Sequence, residues 1–408
     1  MRHETGSCEL ISGPMSPIAW IALSQLFGTS LWFSANSAAD DLVRAWGLTP
    51  GDIGWMTTAV QLGFIAGTLG FSLSGLADRF PASRIFTVCA VGGALFNAGF
   101  ASGSSGLASA LCFRFLVGVS LAGIYPIGMK LVVSWAPERA GSALAQLVGM
   151  LTLGSALPHA LRLMGASWPW QGVMLASSLL ALAGAAIILR LGDGPHLKQR
   201  PDRAESRPGH VLAAFRSARF RASALGYFGH MWELYAFWTL VPMLVTRTIL
   251  VREFPVLGSA GLAFFIMGAG ALGCFLGGAW ARRVGSARVA AFALFLSGFC
   301  CFLFAAGGAT WPASWLLLLL LLWGASVVAD SPHFSALSAA ACPPHLVGSA
   351  LALQNAIGFS ITVVAIGLTT HAVTDWGTAV AWLLLPGPVL GLAGFFPILK
   401  SESARAGG

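Results

Sequence analysis

The sequence predicts an all-α polytopic membrane protein with twelve transmembrane helices in two pseudo-symmetric halves of six. The chain is 56% hydrophobic and only 9% charged, whereas a soluble chain is about 25% charged. Charge-free runs long enough to cross a bilayer recur along its whole length. Short sequence patterns also recur at offsets close to half of the 408 residues. These observations indicate a helical membrane bundle that arose by duplication.

Twelve apolar segments are predicted to cross the membrane, since a spanning helix needs about 20 apolar residues. They are residues 16–38, 53–77, 84–104, 107–134, 140–163, 167–190, 221–246, 257–281, 286–307, 313–340, 346–372 and 378–399. The longest hydrophilic segment separates the sixth span from the seventh. The predicted organisation is an N-terminal tail (1–15), a six-helix half (16–190), a linker (191–220), a second six-helix half (221–399) and a C-terminal tail (400–408).

The basic residues are distributed unevenly between the two sides of the predicted bundle. The tails and the even-numbered loops hold eighteen Lys and Arg, and the odd-numbered loops hold four. Because cytoplasmic loops carry an excess of basic residues, we expect both termini and the linker to be cytoplasmic. We expect an integral protein of a bacterial inner membrane. The net charge of +8 does not indicate nucleic-acid binding, because the basic residues lie in interhelical loops.

The two halves share short patterns that occur in the same order. The pattern Gly-Ser-Ala-Leu-Ala begins at Gly141 in the fifth span and again at Gly348 in the eleventh. Three residues of the fourth span match three of the tenth at a common offset of 206, namely Gly118, Ser120 and Pro126 with Gly324, Ser326 and Pro332. Many secondary transporters consist of duplicated six-helix halves with the substrate site between them near the bilayer midplane.

A charged loop follows the second span, and the fourth span contains an arginine. The loop contains Asp78 and Arg79, with Arg84 six residues beyond Asp78. It resembles the loop signature of the major facilitator superfamily, and Arg114 with Gly118 resembles the Arg-x-x-x-Gly motif of that family. The resemblance covers nearly the whole chain. It implies a secondary transporter that works by alternating access and is not an enzyme.

The resemblance also implies a cytoplasmic gate formed by this loop and its second copy at residues 278–288. The family has Gly where this chain has Ser74 and Pro81, and an acid where the second copy has Arg282. We therefore expect a one-sided latch, in which Asp78 interacts with the N-terminus of the eleventh span, where a carboxylate is favourable by about 0.3–1 kcal/mol. The basic residues of this predicted gate are Arg79, Arg84, Arg282, Arg283 and Arg288.

Ionisable side chains inside the predicted spans are the strongest candidates for function, because each costs about 2.5–3.5 kcal/mol at a helix centre. Glu233 lies near the middle of the seventh span, between Trp232 and Tyr235, with His230 three residues before it. A carboxyl group there could bind a proton or a substrate, and the aromatic rings could stack on a substrate. The alternative is that these residues only pack and pair with other helices.

Three further charged residues lie in the fourth and tenth spans. Asp330 precedes Ser331 and Pro332, and a broken polar turn is tolerated in a membrane only where it faces protein or water. Arg114 is expected from the resemblance to line the central cavity. Lys130 lies further along the same span and could bind an anion or anchor the helix end. We expect proton coupling through Glu233, Asp330 or Arg114.

Uncharged polar residues in the spans complete the predicted set. Gln146, Gln354 and Asn355 could contact substrate, although hydrogen bonding between helices is the better explanation for Gln354 and Asn355 when each is taken alone. The seven cysteines show no metal-ligand spacing, so we expect neither a metal nor a cofactor. The expected partners are a small solute, protons and the lipid bilayer, and we expect a monomer.

Two transport functions and two other classes are compatible with these residues. Arg114 and Lys130 favour proton-coupled transport of an organic anion, whereas Glu233 with its aromatic neighbours permits a drug or metabolite/proton antiporter. A sensor without turnover and a polytopic membrane enzyme are the other classes. The chain has no Gly-x-x-x-x-Gly-Lys-Ser/Thr loop, so it is not expected to use ATP.

Overall fold

The computed structural model describes residues 15–197, 212–342 and 346–406, and every regular element in these ranges is helical. The helices of ten or more residues are α1 (Pro17–Thr29), α2 (Pro50–Ser74), α3 (Ala82–Gly103), α4 (Leu107–Ala122), α5 (Tyr125–Trp135), α6 (Ala140–Met164), α7 (Trp170–Leu191), α8 (Ala218–Thr246), α9 (Gly258–Val284), α10 (Ser286–Ala305), α11 (Ala313–Ala329), α12 (Ser331–Ala340), α13 (Val347–Trp376) and α14 (Pro386–Ala406). The predicted all-α membrane fold is confirmed. The N-terminal tail to residue 14, residues 198–211 of the linker, residues 407–408 and the side chain of Asp78 lie outside the described part.

Each predicted span coincides with one long helix or with two helices separated by a break. Within the described ranges, nine segments are long and apolar enough to cross a membrane, and one of them, Ala350–Lys400, covers most of both α13 and α14. Helix α1 is only 13 residues long, and α8 carries His230 and Glu233 within its 29 residues, which lowers its hydropathy. The total of twelve spans therefore stays a prediction.

The first span is interrupted, in contrast to the continuous segment 16–38 that the sequence predicts. Helix α1 ends at Thr29, and a short helix, Ser34–Ser37, follows after a turn. The hydroxyl of Ser30 donates to the carbonyl of Phe27 at 2.7 Å. This turn leaves backbone carbonyls inside the bundle that need donors from elsewhere, since there is little water there to supply them.

The fourth and tenth spans are broken at corresponding positions. Helix α4 ends before Gly123 and Ile124, and α11 ends before Asp330. Pro126 and Pro332 lie in the first turns of the helices that follow, where a missing backbone N–H costs nothing. Ile124 and Asp330 are separated by the offset of 206 that the sequence repeats predict. The duplication therefore places a carboxylate at a helix break in the second half only.

Two glycines show the same close packing in each half. A Cβ atom on Gly118 would lie 2.1 Å from the carbonyl oxygen of Val60, and one on Gly324 would lie 1.8 Å from that of Ile266. Gly324 and Ile266 are each 206 residues beyond Gly118 and Val60. The repeated glycines thus let α4 pack on α2 in the first half, as α11 packs on α9 in the second.

Substituting alanine for Gly324 is expected to destabilise the protein, because the added methyl group has no space beside Ile266. Overpacking of this kind costs about 1–3 kcal/mol. Gly367→Ala is the matched control, since a Cβ there meets nothing within 4 Å. Thermal unfolding in detergent should show a lower Tm for Gly324→Ala and an unchanged or higher Tm for Gly367→Ala. Equal Tm values would contradict the close approach of the two helices.

The halves pack against each other through two helix pairs, α2 with α13 and α6 with α9. A Cβ on Gly54 of α2 would lie 2.1 Å from the hydroxyl of Thr370 on α13. A Cβ on Gly270 of α9 would lie 2.8 Å from the methyl group of Thr152 on α6. These contacts close the two sides of the bundle and leave space along the axis between the halves.

Candidate functional site

A central cavity of about 520 Å³ lies between the two halves. Helices α5 and α6 line it from the first half, and α8, α12 and α13 line it from the second. At one end it is lined by Ser134 and by His196 and Leu197 of the linker. The cavity therefore extends to the end of the bundle that carries the linker.

Aromatic rings close the other end of the central cavity. The ring of Trp32 lies 5.1 Å from that of Phe64 and 5.4 Å from that of Tyr235, measured between centroids. Phe359 contacts Phe64 at 4.3 Å. Such contacts exclude water, so this aromatic plug of Trp32, Phe64, Tyr235 and Phe359 separates the cavity from the opposite face of the bundle.

A polar contact joins the halves beyond the aromatic plug, and ion pairs within the first half lie beside it. The hydroxyl of Ser259, at the start of α9, donates to the carboxylate of Asp40 at 3.4 Å. Nearby, Asp41 lies 2.7 Å from the guanidinium of Arg162 and 2.6 Å from that of Arg44. The bundle is therefore closed at this end and open at the linker end. If the linker is cytoplasmic, as predicted, this is an inward-facing conformation.

The central cavity is aromatic and basic. The chain has three tyrosines, and all of them, Tyr125, Tyr227 and Tyr235, line the cavity. Lys130 and His230 also line it. No acidic side chain is among the described residues of its lining. This combination of rings and positive charge suits a small anion that has an apolar or aromatic body.

His230 and Asp330 form a buried pair at the wall of the cavity. His230 Nδ1 lies 2.7 Å from Asp330 Oδ1, and both side chains are almost completely buried. The pair connects α8 to the break between α11 and α12. His230 and the neighbouring Ser331 line the cavity, whereas Asp330 lies behind them. The pair therefore places an ionisable contact between two helices at the edge of the cavity.

Glu233 points away from the central cavity. Its carboxylate accepts one hydrogen bond from the hydroxyl of Ser297 at 2.6 Å and another from the indole of Trp323 at 2.7 Å. It is fully buried among α8, α10 and α11. Both carboxylate oxygens have fixed partners, so the structure gives Glu233 the contacts of a residue that joins three helices.

Arg114 is also buried and is not part of the cavity lining, in contrast to its expected position. Its guanidinium donates to the carbonyl of Leu31 at 3.0 Å, to the hydroxyl of Ser34 at 3.1 Å and to the carbonyl of Trp32. The two carbonyls are backbone groups exposed by the turn after α1. Arg114 therefore supplies the donors that the interrupted first span requires.

The other predicted residues of the spans divide into two groups. Tyr235, Lys130 and Asn355 line the cavity, and the ammonium of Lys130 donates to the carbonyl of Ala77. Three residues lie elsewhere. The indole of Trp232 donates to the carbonyl of Leu383 at 2.8 Å. Gln146 is exposed, and Gln354 is buried with both amide atoms unpaired.

The basic residues of the predicted gate are all exposed at the ends of their helices. They are Arg79, Arg84, Arg282, Arg283 and Arg288. The side chain of Asp78 is outside the described part of the chain, so its contact with the eleventh span stays a prediction.

Four aromatic residues of the cavity lining are absent from the sequence-based set. They are Tyr125, Tyr227, Trp238 and Phe359. One signal in the sequence could have identified the first two, because the only three tyrosines of the chain all lie inside predicted spans. Trp238 and Phe359 carry no such signal, since the chain has 15 Trp and 27 Phe.

Comparisons with known proteins identify a matching family and several transporters of similar sequence. The Major Facilitator Superfamily model matches residues 21–367. The niacin transporter NiaP of Acinetobacter baylyi is 38% identical over 99 residues, which are 24% of this chain and 22% of that protein. The 4-hydroxybenzoate transporter PcaK of Pseudomonas aeruginosa is 27% identical over 223 residues, which are 50% of this chain and 47% of that protein. The match thus spans less than half the length of each relative.

A solved structure extends this similarity over nearly the whole chain. The crystal structure of a D-xylose-proton symporter superposes with a TM-score of 0.73, covering 93% of this chain and 96% of the symporter. The two sequences are 14% identical, so this likeness shows the shared fold.

Proposed function

This chain belongs to the major facilitator superfamily, and we propose that it is a proton-coupled secondary transporter of a small organic anion. The observation that carries the proposal is the lining of the central cavity, which combines Lys130 and His230 with three tyrosines and includes no described acidic side chain. A cavity of this kind attracts a carboxylate and offers aromatic surface to its body. The protein is an integral membrane protein, and its relatives are bacterial.

An aromatic monocarboxylate is the substrate class that we favour. Niacin and 4-hydroxybenzoate, which the relatives' names give as their substrates, each carry one carboxylate on a single aromatic ring. Tyr227 and Tyr235 lie eight residues apart on α8, which is about 12 Å along a helix. A single-ring acid therefore fits between them, with its carboxylate directed to Lys130 or His230.

A cation or drug exporter is less well supported. Binding of a cation in a membrane cavity requires a carboxylate or a comparable partner, and the acid predicted for that role, Glu233, is buried outside the cavity with both oxygens engaged. The aromatic lining by itself suits either substrate class. The charge of the lining is therefore what favours the anion.

Counterflow in proteoliposomes tests the proposed function. Vesicles loaded with unlabelled 4-hydroxybenzoate or nicotinate should take up the labelled acid, and an imposed pH gradient should drive its net accumulation. Counterflow of a lipophilic cation, without exchange of any aromatic acid, would overturn the proposal in favour of the exporter. Binding without counterflow of any solute would indicate a sensor.

Lys130→Gln is expected to weaken binding of an aromatic acid about 10- to 100-fold, because a hydrogen bond to a charged group contributes about 1.5–3 kcal/mol. Arg139→Gln is the matched control, since Arg139 is exposed near the same end of the bundle and is outside the cavity lining. Quenching of tryptophan fluorescence during titration with 4-hydroxybenzoate measures both affinities. An equal loss in the two variants would show that general surface charge attracts the anion.

A further inference from the structure

A second cavity, of about 270 Å³, lies at the closed end of the bundle. Pro242 and Ser259 line it from the second half. Its charged and polar lining from the first half consists of two acids and two arginines with Asn36, Ser37 and His159, the acids being Asp40 and Asp41 and the arginines Arg44 and Arg162. This cavity lies on the same axis as the central cavity, because Pro242 is four residues beyond Trp238 on α8, which is about 6 Å of helix rise. The aromatic plug separates the two spaces, and we call the second one the outer cavity.

Two almost completely buried side chains present unpaired polar atoms at the outer cavity. The exposed fractions of His159 and Asn36 are 1% and 4%. Asn36 Nδ2 donates to the hydroxyl of Thr57 at 2.8 Å, whereas Asn36 Oδ1 and His159 Nε2 have no hydrogen-bond partner. Buried polar atoms are paired in most proteins. Their positions in a cavity wall indicate that a ligand or water supplies the missing hydrogen bonds.

The outer cavity also contains an arginine that already binds a carboxylate of the protein. Arg162 is three residues beyond His159 on α6, so the two share one face of the helix. Its guanidinium lies 2.7 Å from Asp41, and the side chains of both partners are 19% exposed. Arg44 holds the other oxygen of Asp41 at 2.6 Å. If Asp41 moved away from Arg162, Arg44 could still neutralise it.

We propose that the outer cavity is a second binding site for a small carboxylate, in which the ligand replaces Asp41 on Arg162. Arginine binds any carboxylate by the same fork of N–H groups, so the internal Asp41 and an external acid compete for it. Asn36 Oδ1 can only accept a hydrogen bond, which favours an acid that also bears a hydroxyl or N–H donor. The inference rests on the proposed function, because the site would hold the transported anion on the outer side of the plug.

The two members of one ion pair then have opposite effects on binding. Asp41→Asn removes the competitor and is expected to raise the affinity of the outer site at least fivefold. Arg162→Gln removes the anchor and is expected to lower it at least fivefold. An ion pair with a purely structural role predicts loss or no change in both variants.

Equilibrium binding of 4-hydroxybenzoate to the purified full-length protein tests this inference. The measurements use the Lys130→Gln background, which weakens the central site and leaves the outer one to dominate. Arg252→Gln is the matched control, because Arg252 pairs with the exposed Glu253 at 3.4 Å and lies outside both cavities. Benzoate should bind more weakly than 4-hydroxybenzoate, since it has no donor for Asn36.

The outer site would be supported if Asp41→Asn and Arg162→Gln changed the affinity for 4-hydroxybenzoate in opposite directions while Arg252→Gln left it unchanged. Affinity changes in the same direction, or no change in either variant, would overturn the outer site even if counterflow and the Lys130-dependent site are present. Absence of both binding and counterflow in the wild-type protein would overturn the proposed function as well. Size-exclusion profiles and Tm values of each variant establish that the measured protein is folded.

Discussion

Replacing Asp330 with asparagine is expected to abolish proton-driven accumulation of substrate while leaving counterflow intact. Asparagine keeps the size of the side chain beside His230, whose Nδ1 lies 2.7 Å from Asp330 Oδ1 in the wild-type protein. It removes the charge that responds to a proton. Exchange of substrate needs only the conformational cycle, whereas accumulation needs a protonation step that differs in energy between the two conformations.

The pair is suited to this role because it joins parts that must move relative to each other. His230 belongs to the uninterrupted helix α8, and Asp330 lies at the break between α11 and α12. In the proposed coupling, a proton supplied through the central cavity would change the charge of this contact between the two elements. His230→Gln should therefore also lose coupling, although its effect on substrate binding is expected to be larger because His230 lines the cavity.

Uptake driven by an imposed pH gradient, measured in proteoliposomes, checks the prediction. The Asp330→Asn variant should accumulate at least tenfold less substrate than the wild-type protein, and its rate of counterflow should stay within a factor of about two of the wild-type rate. Glu233→Gln is the comparison variant. It should retain coupling but unfold at lower temperature, because Gln keeps only one of the two acceptor oxygens to which Ser297 and Trp323 donate. Coupling lost in Glu233→Gln and kept in Asp330→Asn would reverse the two assignments.

The architecture could be predicted from the sequence because its determinants repeat along the chain. Apolar length indicates the spans, and Gly118 and Gly324 recur because each permits the same close approach between two helices. The break at Asp330 could also be anticipated from Pro332, which lies in the first turn of the next helix. These features depend on local chemistry and on spacing, both of which the sequence displays directly.

The direction in which each side chain points could not be predicted. Consecutive residues of a helix are rotated by about 100°, so Trp232, Glu233 and Tyr235 point in three directions. Trp232 reaches the carbonyl of Leu383, Glu233 reaches Trp323, and Tyr235 faces the cavity. A soluble helix reveals its buried face by an apolar stripe. Helix α8 is apolar nearly all round, so its sequence indicates depth in the membrane without indicating the face.

Arg114 shows the same limit for a charged residue. Its burial within the fourth span follows from the sequence, but its partners are backbone groups 82 and 83 residues away. Those carbonyls are available only because α1 ends at Thr29. The family resemblance directs attention to substrate or proton handling, whereas the contacts of the guanidinium join the fourth span to the turn of the first.

Replacing Arg114 with methionine is therefore expected to impair folding more than transport chemistry. Methionine approximates the length of the side chain but leaves the carbonyls of Leu31 and Trp32 without donors in the membrane interior. Breaking a buried charged contact costs about 3–5 kcal/mol. Arg114→Lys should restore part of this loss, since an ammonium cannot reach all of the groups that the planar guanidinium binds together.

Thermal unfolding and the yield of monodisperse protein measure the effect of Arg114→Met. Arg247→Met is the matched control, because Arg247 is exposed and donates to Met243 of its own helix. We expect Arg114→Met to have the lowest Tm of the three variants, Arg114→Lys an intermediate one and Arg247→Met that of the wild-type protein. A folded Arg114→Met protein with wild-type Tm and no binding of 4-hydroxybenzoate would instead show that the guanidinium acts on the substrate. The order of the Tm values thus decides between the contacts seen in the structure and the role that the family resemblance implies.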